Sequence, residues 1–90
     1  MKSPKFRVEL RSSVLKDIDR TEIRYRPKIW DKIEALADDP TPRGSLKLSG
    51  DGNVYRIRIG VFRVFNEIDY KAKMVIVGHV MHRQTAYKKK

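Results

Sequence analysis

From Tyr55 to Ile68 the chain is written in period two, with one interruption. Tyr55, Ile57 and Ile59 alternate with Arg56 and Arg58; Gly60-Val61 breaks the pattern; Phe62, Val64 and Ile68 then alternate with Arg63, Phe65 and Glu67. Such alternation sends successive side chains to opposite faces of a strand. A two-residue connection with glycine first is the mark of a type II′ turn, so the segment is predicted to be a β-hairpin. The turn sets the register: Ile59 faces Phe62, Arg58 faces Arg63, Ile57 faces Val64 and Arg56 faces Phe65. One face of this hairpin is apolar and needs a cover. The other carries three arginines and a phenylalanine, with no acid among them.

The rest of the chain supplies the cover. Lys5 to Leu10 alternates, with Phe6, Val8 and Leu10 on one side, and reads as a half-buried strand. Ser12 and Ser13 can cap a short helix that holds Val14, Leu15 and Ile18 and ends near Arg20. A second helix, starting between Thr21 and Arg24, places Ile29, Trp30, Ile33, Leu36 and Ala37 on one stripe. Pro27 fits only its first turn or a kink, and Pro40 and Pro42 end it. The two helices form an antiparallel hairpin. Residues 40–53 read as loop, with Leu46-Lys47-Leu48-Ser49-Gly50 inside it. Met74 to Val80 is a last strand, reached through a polar turn near Tyr70 to Lys73. The expected fold is α+β: an N-terminal strand, a two-helix hairpin, then an antiparallel three-strand meander, with the helices on one face of an antiparallel sheet. Residues 1–90 form one domain, with a frayed tail at 86–90.

Composition narrows the function. The chain has 21 Lys and Arg against 11 Asp and Glu, a net charge of +10. Residues 1–45 hold 11 basic and 8 acidic side chains (+3), and residues 46–90 hold 10 and 3 (+7). A small domain with that field attracts polyanions, nucleic acid first. The absence of cysteine excludes disulfides, thiolate zinc sites and cysteine nucleophiles. No apolar run can span a bilayer and the start lacks a signal-peptide core, so a cytoplasmic protein with no membrane partner is expected. His79 and His82 are two imidazoles without a thiol, too few for zinc, and no cofactor is expected.

Arginine directly across from arginine destabilises a hairpin by some tenths of a kcal/mol. The arrangement makes sense if the face grips an anion: planar guanidinium forks hold phosphate in bidentate fashion. Phe65 beside them offers a ring on which a base can stack. His82, just after the last strand, is the side chain best suited to move a proton near neutral pH, with Glu67 behind it.

The run Leu46 to Gly50, the hairpin Tyr55 to Val64, Val77-Gly78, His82-Arg83 and Tyr87 together resemble the RelE/ParE toxin superfamily, over nearly the whole chain. The RelE branch implies the toxin of a type II toxin–antitoxin pair. Such a toxin is an endoribonuclease that cuts mRNA, in the ribosomal A site, by attack of the ribose 2′-hydroxyl on the adjacent phosphate. The resemblance assigns Arg56, Arg58, Arg63, Arg83 and Tyr87 to the catalytic set; Lys47 and Phe65 are RNA-binding candidates. It implies three partners: mRNA, the ribosome, and a RelB-like antitoxin expected to bind through an acidic amphipathic segment. One departure stands out. Some RelE members carry lysine at the first hairpin positions, where this chain has Arg56 and Arg58. Lysine can give up its proton; arginine cannot. The arginines can therefore hold phosphate but not act as base; the proton goes to His82, with Glu67 behind it, or no efficient base exists and electrostatics supplies most of the rate. A ParE-type inhibitor of DNA gyrase, or an inactive RNA-binding module, are the other readings.

Overall fold

The computed structural model describes residues 5–48 and 52–82. The elements run β1 (Arg7–Leu10), α1 (Ser12–Asp19), a 3-10 turn (Ile23–Tyr25), α2 (Arg26–Ala35), β2 (Leu46–Lys47), β3 (Val54–Ile59), β4 (Phe62–Asp69) and β5 (Met74–His82). They build a five-stranded sheet in the order β1-β5-β4-β3-β2. The α+β class, the order of elements and the meander of β3, β4 and β5 are as the sequence predicts. The sheet is mixed rather than antiparallel, because β1 pairs with β5 in parallel. β2 lies inside the segment read as loop. It is only two residues long, too short to show a period, and pairs antiparallel with β3.

The hairpin register is the one derived from the turn. Ile59 pairs with Phe62, Arg58 with Arg63, Ile57 with Val64 and Arg56 with Phe65. Gly60 has φ +59 and Val61 is not in the left-handed region, as a type II′ turn requires. Among the described residues, nothing lies within 4 Å of a Cβ built on Gly60. Gly60→Ala therefore isolates the backbone cost of the turn, and it is expected to lower the free energy of unfolding by about 1–2 kcal/mol, read from urea denaturation.

The helices take their limits from specific residues. α1 begins at Ser12, with Arg11 as N-cap and no side-chain capping bond. The predicted serine cap is absent because Ser13 Oγ donates instead to Gly78 O at 2.7 Å. α2 begins later than the stripe suggested. Pro27 sits in its first turn, and the residues before it form the 3-10 turn. Arg26 Nη2 holds the junction by donating to Asp19 O and Thr21 O. Val14 and Ile18 of α1, Ile29 and Ile33 of α2, and Leu36 bury against Ile57, Ile59, Phe62, Val64, Ile68, Val75, Val77 and Val80 of the sheet. Asn66 shares this face. It is 2% exposed, and among the described residues neither amide atom has a hydrogen-bond partner, a cost of about 1–3 kcal/mol.

Candidate functional site: the arginine face of the sheet

Residues paired directly across an antiparallel ladder share a face. The face away from the helices therefore carries, in one row, Leu46, Arg56, Phe65 and His79. The next row toward the turn carries Arg58, Arg63 and Met81. Arg56, Arg58, Arg63 and Phe65 thus come together as predicted. Arg58 is exposed, and Arg56 and Phe65 are half-buried. Glu67 is exposed one row beyond Phe65, across from Val54.

Arg63 differs from its expected exposure: it is 4% exposed. It stands on β4, the middle strand, flanked by β3 and β5, where a long side chain can be covered from both sides. Its guanidinium must be uncovered before it can touch a phosphate.

Two further candidates fall on the other face. Lys47 pairs with Tyr55, which packs against the core, so the ladder separates it from the arginines. His82 does not follow the last strand; β5 continues through it, because β4 offers pairing back to Phe62. His82 pairs with Phe62, and their rings meet edge to face at 5.4 Å. Phe62 is a core residue, in turn edge-on to Tyr25 at 5.2 Å. His82 therefore stands on the helix side of the sheet, across it from the arginines. Arg83, Tyr87 and the tail at 86–90 lie outside the described residues, as do Ser49 and Gly50.

The imidazole that shares the arginine face is His79. The ladder slips between Phe65 and Asn66: Phe65 pairs with His79, but Asn66 pairs with Val77, leaving Gly78 as the extra residue of a β-bulge. The slip is foreshadowed in the sequence, where the buried valines change parity across Gly78, from Val75 and Val77 to Val80. β1 pairs with β5 only from Met74 to Val77, and α1 closes the edge beyond. The Val80 N–H donates to Asp17 Oδ2 at 2.9 Å. The same oxygen lies 3.5 Å from His79 Nδ1. A groove of about 600 Å³ opens here, with Asp17, Tyr25, Phe62, His79 and His82 on its walls.

The sequence matches the family described as ParE toxin of type II toxin–antitoxin system, parDE, over residues 8–87. It is 34% identical, over 87 residues, to the Methanocaldococcus jannaschii protein named as toxin RelE1, covering 93% of this chain and 97% of that one. The fold is similar to RelE in the archaeal RelE–RelB complex from Pyrococcus horikoshii, with a TM-score of 0.76, 24% identity, and 88% of this chain and 96% of that chain covered. It is also similar to the isolated Escherichia coli RelE toxin, with a TM-score of 0.71, 18% identity, and 86% and 83% covered. The chain belongs to the RelE/ParE family and is the toxin of a type II toxin–antitoxin system. Among the described residues, no helix is long and apolar enough to cross a membrane.

Proposed function

We propose that this toxin is an endoribonuclease that cuts mRNA, in the ribosomal A site, by attack of the 2′-hydroxyl on the neighbouring phosphate. The observation that carries the reading is the arginine face. Arg56, Arg58 and Arg63 converge from two paired strands without an intervening acid, around a half-buried Phe65. Arginine stays charged at every accessible pH, so Arg56 and Arg58, joined by Arg63 once it is uncovered, stabilise the charge that develops on the phosphate but accept no proton. Phe65 is the ring on which a base stacks. Arg83 and Tyr87 complete the set by family resemblance. The RelE–RelB complexes among the structural relatives support a RelB-like antitoxin as partner. An acidic segment suits the +10 charge of this chain. Cytoplasmic mRNA and ribosomes are the targets.

The match to the ParE family favours one second reading, a non-enzymatic inhibitor of DNA gyrase. The two part in a single experiment, in which purified toxin is added in parallel to ribosomes programmed with a defined message and to a gyrase supercoiling assay. The ribonuclease reading expects cut message and unchanged supercoiling. Blocked supercoiling over an intact message establishes the second reading instead.

A further inference from the structure

We propose that His79, oriented by Asp17, is the general base of this cleavage reaction, an inference that rests on the ribonuclease reading above. Four observations carry it. His79 is the imidazole on the arginine face, brought there by the bulge at Gly78. It stands directly across from Phe65, which has Arg56 across its other edge. Its side chain is 60% exposed and so open to a substrate. Its Nδ1 faces Asp17 Oδ2 at 3.5 Å, and that carboxylate is only 18% exposed and is anchored by the Val80 N–H.

The arrangement suits the step. Adjacent strands lie about 4.8 Å apart, so a nucleotide stacked on Phe65 has a cation on one flank and an imidazole on the other, each one strand away. Arg63 lies on the ladder diagonal from His79, at about 7–8 Å between backbones. A phosphate held by the arginines therefore comes within reach of the imidazole through its ribose. With Nδ1 turned to Asp17, Nε2 is left to take the proton. Asp17 fixes the ring and stabilises the imidazolium, and the contact can shorten as that charge forms. His79 Nε2 accepts the 2′-hydroxyl proton as the 2′ oxygen bonds to phosphorus. The P–O5′ bond breaks with its electron pair on the 5′ oxygen. Water protonates that oxygen, and the hydroxide left behind takes the proton back from the imidazolium. The products are a 2′,3′-cyclic phosphate and a 5′-hydroxyl.

The charged and titratable groups around His79 are Asp17 of α1, Arg20 just past its end, Glu22 before the 3-10 turn, His82 on its own strand and Arg63 on the diagonal. Glu22 is engaged by Arg24 at 3.2 Å. Arg11 lies over the neighbouring Gly78.

The test is single-turnover cleavage of a defined message on programmed ribosomes, across a range of pH, for wild type, His79→Gln, His79→Ala with and without added imidazole, Asp17→Asn and His82→Gln. Wild type is expected to speed up as pH rises through deprotonation of an imidazole. His79→Gln is expected to lose that rise and to slow by about 10²–10⁴-fold, with binding to the ribosome kept. Added imidazole should restore rate to His79→Ala, which a purely structural role for the residue would not allow. Asp17→Asn keeps an acceptor for the Val80 N–H, and is expected to lower the maximal rate without weakening binding. A His79→Gln that cuts at the wild-type rate overturns the proposal and leaves the ribonuclease reading standing, as does a loss carried by His82→Gln in its place. A wild type that cuts no message overturns both.

Discussion

Replacing Arg58 with alanine is expected to slow cleavage of a defined message by roughly 10²–10³-fold, the usual cost of removing one preorganised donor to a developing charge. The same change should leave the fold as stable as before or slightly more so. Arg58 is exposed, and it faces Arg63 directly across the ladder. Removing it ends a like-charge contact that costs some tenths of a kcal/mol. Activity and stability therefore move in opposite directions, a pattern that general damage to the hairpin cannot produce. Arg63→Ala is the less clean probe. That side chain is buried, so its loss removes packing as well as charge. Cleavage rates of the two variants, set beside their urea midpoints, separate the two kinds of effect.

The largest effect on stability is expected at the underside of α2. Ile29 is fully buried, and with Ile33 it is one of only two buried residues that helix contributes. Ile29→Ala removes three carbons from a packed core and leaves a cavity, which costs about 2–5 kcal/mol. A domain of this size holds about 5–15 kcal/mol in all, and each kcal/mol moves Tm by about 4–8 °C. The melting temperature should therefore fall by roughly 10–30 °C. Ile23, on the 3-10 turn, is 74% exposed, and Ile23→Ala should change little. Thermal unfolding followed by circular dichroism checks both.

The hairpin was legible because two local rules agree in it. Gly60-Val61 sets the turn, and the alternation on either side sets the faces, so the pairing of all three arginines follows without tertiary knowledge. β5 gave no such agreement. Its outward positions Met74, Ile76 and Met81 are as apolar as its inward ones, so period two is blurred just where Gly78 shifts the parity. A one-residue slip moves every later side chain to the opposite face. His82 was read as lying just beyond the last strand, whereas β5 runs through it, and the slip gives the place beside the arginines to His79. The face of Lys47 was not legible because β2 is two residues long, and only pairing with β3 shows it. The burial of Arg63 was not legible at all: the pleat tells which way a side chain points, but not what lies over it. Ser13 was read as a local cap because the partner it finds, Gly78 O, is 65 residues away in sequence.

The chemistry of the cut ends tests the arginine face most directly. A defined message is bound to ribosomes, exposed to wild-type toxin or to Arg58→Ala, and the fragment ends are identified by mass spectrometry. The account predicts a 2′,3′-cyclic phosphate on the upstream fragment and a 5′-hydroxyl on the downstream one with wild type, and almost none of either with Arg58→Ala. Fragments ending in a 3′-hydroxyl, or the same yield of cyclic phosphate from Arg58→Ala as from wild type, would contradict it.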